Sequence, residues 1–245
     1  MVQFCHRSAH QKNDVALPCS LRHTSKHMAN VLLGVTGSVA AIRTPHLYER
    51  LKQAGYHVKV VATQAALYFF DPAALDPAVP ARPARNPEVV VLDEDEWPGR
   101  WEGQRYELTA PVLHIELRRW AERLVIAPLD ANTLAKLAGG LADNCLTGVW
   151  RAWEPARPVV LAPAMNTLMW EHPATARHLR QLAADAGAGD APTDLDQDAL
   201  SQWINRTCPK LRVVPPQTKR LACGDVGLGA MAELDEIVRA VAMIT

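Results

Sequence analysis

Asn166 has the sequence setting that points most directly to chemistry. It lies in residues 163–170, PAMNTLMW, directly after an apolar run at residues 158–162 that predicts a buried strand. Ligands bind at the carboxyl ends of strands in an open parallel sheet, and an amide there can donate to and accept from a carboxylate or another amide. A buried Asn that caps a helix among core Met and Trp side chains would show the same pattern, so both interpretations stay open.

A single histidine and a single cysteine stand out in two other segments. His114 lies in residues 111–117, PVLHIEL, just before a helix-like run, and Cys223 lies in residues 221–231, LACGDVGLGAM. Histidine titrates close to neutral pH, which suits proton transfer, and a thiol on a glycine-rich loop can approach and leave a site as a lid does. A structural histidine and a free surface cysteine are the plain alternatives.

Two short runs of small residues each follow a predicted strand and precede a predicted helix. In the first, GSVAA at residues 37–41, glycine permits a tight turn, and backbone N–H groups at a helix start together with a Ser hydroxyl suit an anion such as a phosphate. The second is DANT at residues 130–133, where Asp is a strong N-cap. The first run does not match GxGxxG, so dinucleotide binding is not indicated, and a plain strand-to-helix connection is the alternative.

The elements that must position these residues alternate between strands and helices. Strands are predicted at residues 31–36, 58–62, 89–92, 124–127 and 159–162, and helices at residues 42–54, 64–70, 115–123 and 134–138. This alternation predicts an α/β fold, with a doubly wound open parallel sheet covered on both faces in a flavodoxin-like or Rossmann-like three-layer sandwich. Residues 30–245 are predicted to form one domain with a surface insertion around residues 184–210, and residues 1–29 a disordered tail.

Composition excludes several classes of partner. The 26 Lys and Arg residues equal the 26 Asp and Glu residues, so no net field favours nucleic acid or an anionic membrane. No apolar run reaches the roughly 18 residues that a membrane span needs. The five cysteines show no CxxC pair, which argues against a metal site or a disulfide framework and predicts a reducing, cytoplasmic setting. A transit peptide within residues 1–29 is the alternative to a plain tail.

Taken together, the segments around His114, Asn166 and Cys223 resemble those of the flavin-dependent cysteine decarboxylases. The resemblance covers residues 30–183 and 215–240 and points to the monofunctional, plant-like members that serve coenzyme A synthesis. It implies FMN as cofactor, 4′-phosphopantothenoylcysteine as substrate and 4′-phosphopantetheine as product. It also implies a homotrimer with the site between subunits. A peptidyl-cysteine oxidative decarboxylase that stops at the enethiol and a non-catalytic phosphatase-regulating relative are the alternatives.

The resemblance also implies roles for residues at matching positions. His114 would act as acid/base and Cys223 as donor of the final proton during reduction of an enethiol, while Met165 and Met169 would pack beside the flavin. The implied cofactor contacts are Gly37, Ser38, Val39, Thr63, Asp130, Ala131, Asn132, Thr133 and Ala164. The implied substrate contacts are Asn166, Arg220, Ala222 and Met231, although Arg220 is equally well explained as a solvated loop residue.

Two positions depart from the pattern of that family. Asp130 and Ala65 stand where the family usually has Ser. A carboxylate near a phosphate is repulsive, so two outcomes are expected for Asp130. Either it caps the following helix and faces away from the cofactor, or flavin binds less tightly. Thr63 lies near Ala65 and could supply the hydroxyl that Ala65 lacks.

Overall fold

A six-stranded parallel sheet forms the centre of the computed structural model, which describes residues 28–75, 86–220 and 226–244. The strands are β1 (Asn30–Val35), β2 (His57–Ala62), β3 (Val90–Leu92), β4 (Arg123–Leu129), β5 (Val159–Pro163) and β6 (Leu211–Val213). Their order is β3-β2-β1-β4-β5-β6. This is the doubly wound order, with its switch point between β1 and β4. The predicted fold class is therefore confirmed.

Helices cover both faces of the sheet. The α-helices are α1 (Thr44–Gln53), α2 (Leu113–Trp120), α3 (Ala131–Gly139), α4 (Cys145–Arg151), α5 (Thr167–Trp170), α6 (Pro173–Asp185), α7 (Gln197–Thr207) and α8 (Leu234–Met243). Short 3-10 helices occupy Val39–Arg43, Gln64–Tyr68, Pro72–Leu75 and Asp93–Glu96. Core residues of α1 and α8 cluster on one face, and those of α2, α3, α4, α6 and α7 cluster on the other.

The strands read as continuous apolar runs because both of their faces are buried. Leu33 of β1 packs in the cluster with α1 and α8, whereas its neighbour Leu32 packs in the opposite cluster. Successive side chains of a strand point to opposite faces of the sheet, and a parallel sheet covered on both faces must be apolar at both sets of positions. This arrangement leaves the carboxyl edge of the sheet as the place where polar loops gather.

The predicted surface insertion around residues 184–210 is wrong for residues 197–207. These residues form α7, and its Leu200 and Ile204 are fully buried in the core. Asp196 caps the helix by accepting a hydrogen bond from the Ala199 N–H at 2.8 Å, and the strand that follows pairs with β5. The segment is thus a crossover helix of the sheet. Whether it is longer than in related proteins stays a prediction.

A separate antiparallel hairpin stands at the carboxyl edge of the sheet. It consists of β7 (Gln217–Arg220) and β8 (Val226–Ala230), and its base is fastened to the segment after β5, since the Met165 N–H donates to the Gly229 carbonyl at 3.0 Å. Residues 221–225, which include Ala222 and Cys223, lie outside the described residues, as do residues 1–27 of the tail predicted at residues 1–29. In the described part of the chain, no helix is long and apolar enough to cross a membrane.

Candidate flavin and proton-transfer site

The two small-residue turns meet at the switch point of the sheet. Thr36, fully buried at the end of β1, donates its hydroxyl hydrogen to the Pro128 carbonyl at 2.8 Å. The same hydroxyl oxygen accepts the Asp130 N–H at 2.7 Å. These two bonds fasten the end of β1 to the end of β4, so that the turns that follow the two strands lie side by side.

Gly37 is required where it lies because its neighbours leave no room for a side chain. A Cβ at Gly37 would lie 2.7 Å from the Ala65 Cβ and 3.3 Å from Asp130 Oδ2. The first distance is shorter than real carbon contacts, so the turn can be this tight only with glycine. Ser38 then caps the following 3-10 helix, its hydroxyl accepting the Ala40 N–H at 3.4 Å. Val39, the next predicted contact, is exposed.

Thr63 carries a hydroxyl that fits a ligand at this point. Its backbone N–H donates to the Val35 carbonyl at 3.0 Å, which places it beside β1. Its Oγ1 is buried and has no hydrogen-bond partner among the residues that the structure describes. An unpaired buried hydroxyl is costly unless a ligand completes it. The glycine turn and this hydroxyl leave polar groups that could hold a phosphate, and the flavin contacts predicted for Gly37, Ser38 and Thr63 stay predictions.

Asp130 caps the following helix, as the first of the two expected alternatives requires, but it does not face away from the turn at Gly37. Its Oδ1 accepts the Thr133 N–H at 2.7 Å, so it caps α3. The expectation that a capping Asp130 faces away from the cofactor turn is wrong, because its Oδ2 approaches Gly37. One carboxylate oxygen caps the start of α3, and the other points towards the turn at Gly37. Weaker flavin binding caused by this oxygen stays a prediction.

Asn166 follows β5 and caps α5. Its Oδ1 accepts the Leu168 N–H at 2.9 Å, so the capping interpretation is correct for that oxygen, while the half-buried side chain also stands at the carboxyl end of a strand. The next residue, Thr167, has a buried hydroxyl oxygen without a partner in the described part of the chain. Met165 is buried, whereas Met169 is half exposed.

A cavity of ≈ 370 Å³ brings the segment after β5 to the loop after β4. Its lining includes Leu168, Met169 and His172 from the first and Ala131 from the second. The neighbouring Asn132 is exposed and Thr133 is buried. Ala164 is buried, and its N–H donates to the Leu129 carbonyl at 2.9 Å, which joins the ends of β4 and β5. The flavin contacts predicted for residues 130–133 and Ala164 thus all fall on one edge of the sheet.

His114 lies in the first turn of α2 beside a buried carboxylate that the sequence analysis did not identify. His114 Nδ1 is 2.6 Å from Glu96 Oε1, and the His114 N–H donates to Glu96 Oε2 at 3.1 Å. The Glu96 side chain is only 4% exposed, compared with 26% for that of His114. Both residues line a cavity of ≈ 290 Å³ together with Asp143, Asn144 and Arg151.

Asp93 joins the elements around His114 to the turn at residues 63–64, which belongs to the predicted flavin site. Its Oδ2 accepts the Gln64 N–H at 3.1 Å, next to Thr63, and its Oδ1 accepts the Cys145 N–H at 3.3 Å at the start of α4. Burial raises the pKa of the Asp93 carboxyl, although these two hydrogen bonds act in the opposite direction. Burial, followed by the nearby Glu96, raises the pKa of the Cys145 thiol. That cysteine is therefore held as a neutral thiol and is a poor nucleophile.

The structure does not unite all predicted site residues. Among the described residues that line the two cavities, His114 belongs to one and Met169 with Ala131 to the other. Met231 is only 2% exposed and packs in the core, and its carbonyl accepts from Gln217 Nε2 at 2.7 Å. The placement of its side chain does not support the predicted substrate contact. The Arg220 side chain, Ala222 and Cys223 lie outside what the structure describes.

Comparison with known proteins agrees with this architecture. The model of the Flavoprotein family matches residues 20–245, and together with the observed fold this match defines an α/β flavoprotein. Phosphopantothenoylcysteine decarboxylase of Mus musculus is 42% identical over 209 residues, which are 85% of this chain and 83% of the mouse protein. The Arabidopsis thaliana enzyme of that name is 44% identical over 213 residues, 86% of this chain and 82% of its own length. The chain belongs to the phosphopantothenoylcysteine decarboxylase family.

Two solved structures show the same fold. A cysteine-to-serine mutant of PPC decarboxylase complexed with pantothenoylaminoethenethiol has a TM-score of 0.68 and 41% identity, and the match covers 88% of this chain and 97% of that one. The FMN binding protein AtHal3 has a TM-score of 0.64 and 42% identity, and the match covers 88% of this chain and 95% of that one. Both likenesses extend over almost the whole of the described fold.

Proposed function

We propose that this protein converts 4′-phosphopantothenoylcysteine to 4′-phosphopantetheine with FMN, as a carboxy-lyase of coenzyme A biosynthesis. The observation that carries this proposal is the likeness to the PPC decarboxylase mutant, which covers 97% of that chain at 41% identity. That protein holds an aminoethenethiol, which is the decarboxylated form of a cysteine with one further double bond. In this chain, the glycine turn at Gly37 and the unpaired hydroxyl of Thr63 provide the complementary cofactor site.

The chemistry requires an electron sink that no side chain of the protein supplies. A cysteine carboxylate does not lose CO₂ readily, because the carbanion left behind is not stabilised. FMN, when bound, accepts two electrons from the thiol-bearing carbon of the substrate and returns them after CO₂ has left. The oxidised substrate is a thioaldehyde, whose C=S group is β to the carboxylate and receives the electron pair of the breaking C–C bond. The result is an enethiolate, which a hydride and a proton convert to the saturated thiolate, and a second proton gives the thiol.

The residues of the chain divide the remaining tasks. His114 moves the proton of the substrate, since its imidazole lines a cavity and is held by Glu96. Asn166, at the carboxyl end of β5, binds the carboxylate that departs as CO₂ through its side-chain amide. Cys223, which falls between β7 and β8 in the sequence, donates the last proton. The hairpin of these two strands is fastened beside Asn166 by the Met165–Gly229 hydrogen bond.

A homotrimer in the cytoplasm completes this proposal. The predicted site residues line two separate cavities on one chain. This is expected of a single copy if the complete site is shared between copies of the chain. Light scattering after size exclusion measures the mass of the assembly, and a monomer that turns over substrate would contradict a shared site. The lack of CxxC pairs among the cysteines supports a reducing compartment.

The test of the function begins with the colour of the purified protein. We expect a yellow protein whose released flavin is FMN and which converts phosphopantothenoylcysteine to a product lighter by CO₂ alone. A product that has lost two further hydrogens would favour the peptidyl-cysteine type of oxidative decarboxylase. A colourless protein that cannot be reconstituted with FMN would contradict the proposal and favour a regulatory role.

Replacement of Cys223 by Ser is expected to change the product. Serine is a much weaker acid than a thiol, so Cys223→Ser should decarboxylate the substrate and then accumulate the enethiol. Mass spectrometry of the quenched reaction measures the ratio of enethiol to saturated thiol. Cys208→Ser, which alters a cysteine buried under α6 and α7, is the control and should release the saturated thiol. Unchanged formation of saturated thiol by Cys223→Ser would remove Cys223 from the mechanism.

Alanine at Gly148 is expected to displace His114 without weakening the fold. A Cβ at this position of α4 would lie 3.2 Å from His114 Cγ and 3.5 Å from Nδ1, so the imidazole must shift. Alanine favours a helix over glycine by about 1 kcal/mol, and a small misplacement of a reacting group can cost about 100-fold. We expect Gly148→Ala to keep or raise the melting temperature while kcat falls. Gly189→Ala, with open space around it, should change neither, and full activity of Gly148→Ala would contradict the placement of the ring.

A further inference from the structure

Glu96 meets His114 with both of its carboxylate oxygens. One oxygen accepts the backbone N–H of His114 at 3.1 Å, and the other lies 2.6 Å from its ring Nδ1. The side chain is 4% exposed, and it comes from the 3-10 helix after β3, 18 residues before His114 in the chain. A buried carboxylate persists where charged or polar donors satisfy it. Here His114 provides two of the contacts, and the Cys145 thiol is a further side-chain hydrogen-bond partner.

This contact decides which ring nitrogen of His114 can exchange a proton. An ionised carboxylate only accepts hydrogen bonds, so Nδ1 carries the hydrogen that bridges to Glu96. In neutral His114, Nε2 is then the unprotonated nitrogen. Helix α4 packs against the same ring near Cγ and Nδ1, where Gly148 leaves the clearance that a larger residue would fill. The imidazole is therefore fixed both in tautomer and in orientation.

We propose that Glu96 is a positioning residue that holds His114 as the Nδ1–H tautomer, so that Nε2 carries out the proton transfer. The role in catalysis rests on the proposed function, whereas the tautomer does not. A purely structural role is the competing explanation, because the Glu96 oxygen on the backbone N–H also caps α2. The two explanations differ in what an amide at residue 96 would do.

Glutamine at residue 96 separates the two roles. Its one carbonyl oxygen can still accept the backbone N–H, but its amide NH₂ then faces Nδ1 and pairs only with a ring nitrogen that has no hydrogen. Glu96→Gln should thus keep the helix start and favour the Nε2–H tautomer. Glu94→Gln is the matched control, since Glu94 is exposed on the same 3-10 helix. Other titratable groups near the ring are Cys145 of α4, Asp143 and Arg151 of the same cavity, and Asp93 and Asp95 of the same turn.

The experiment is nitrogen NMR of the full, FMN-loaded protein labelled with ¹⁵N-histidine. The signal of His114 is identified as the one missing from His114→Asn. We expect Nδ1–H in the neutral wild type, a shift towards Nε2–H in Glu96→Gln, and no change in Glu94→Gln. In the decarboxylase assay, kcat of Glu96→Gln should fall by about 10²-fold or more, with FMN affinity and KM within about twofold of the wild type.

Two results would overturn the proposal: an Nε2–H tautomer in the neutral wild type, or an unchanged tautomer and kcat in Glu96→Gln. If Glu96→Gln does not fold, the wild-type spectrum alone decides. The double variant His114→Asn/Glu96→Gln adds a second check, because a residue that acts through His114 should cost little once His114 is gone. An inactive wild-type protein with the expected tautomer would refute the proposed function and leave the positioning role intact.

Discussion

The His114→Asn variant should bind FMN as the wild type does and lose turnover by about 10²–10⁴-fold. The imidazole lines the ≈ 290 Å³ cavity and is held from one side by Glu96, whereas the cofactor turn is built from Gly37 and Thr63 on other elements. Asparagine retains a hydrogen-bonding side chain of similar polarity but cannot take up a proton near neutral pH. Absorbance of bound flavin and steady-state kinetics measure the two expectations separately.

His46→Asn provides the comparison for this result. His46 is exposed on α1, on the opposite face of the sheet from α2, so its replacement should leave both flavin content and kcat unchanged. If His114→Asn decarboxylates at a rate near that of the wild type, His114 has no part in proton transfer. If it loses flavin instead, the proton-transfer cavity and the cofactor turn are less independent than the structure indicates.

Gly229→Ala should detach the β7–β8 hairpin from the segment that follows β5. Gly229 has a φ of +147°, which alanine rarely adopts, and a Cβ there would lie 2.1 Å from the Met165 carbonyl oxygen. Strained backbone of this kind costs about 1–3 kcal/mol, and the overlap with backbone atoms adds to it. Since the hairpin carries Cys223, we expect kcat to fall by at least about tenfold, equivalent to ~1.4 kcal/mol, together with faster proteolysis within the hairpin.

Gly187→Ala is the matched control for this prediction. Gly187 also has a positive φ, +82°, but nothing lies within 4 Å of the Cβ that it would carry. It ends α6, far along the chain from the hairpin, so it reports the cost of the backbone conformation without the overlap. Equal proteolysis and activity of the two variants would show that the contact between Gly229 and Met165 does not hold the hairpin in place.

The sheet was largely predictable because most residues of its strands are buried. Strands β1 to β5 lie within two residues of the predicted runs, since a strand covered on both faces must be apolar throughout. The strand β6 was not predicted because Arg212 interrupts its apolar run, whereas β3, of the same length, is apolar throughout. Helix α7 was missed because glycine, alanine and aspartate dominate the connection before it, although Leu200, Trp203 and Ile204 follow the spacing of a buried helix face.

The site was predictable where a motif lies within one segment and not where distant segments meet. The cap formed by Asp130 and the turn at Gly37 follow from local sequence. The contact between Glu96 and His114 does not, because an acidic run such as DEDE at residues 93–96 is usually solvated, and only the fold shows that its last residue is buried. Met231 shows the converse, since a residue that matched a substrate contact proved to be part of the core.

The two hydrogen bonds that Asp93 accepts have a consequence for how this enzyme can be altered. One of them holds the turn beside Thr63, and the other holds the start of α4. The Asp93 carboxylate therefore joins the proposed flavin site to the elements around His114. Evolutionary or laboratory changes of specificity should therefore spare Asp93 and accumulate around it. A combinatorial library that conserves Asp93 while varying Ala65 and Ala142, which lines the cavity with His114, should retain more functional clones than one that varies Asp93 itself.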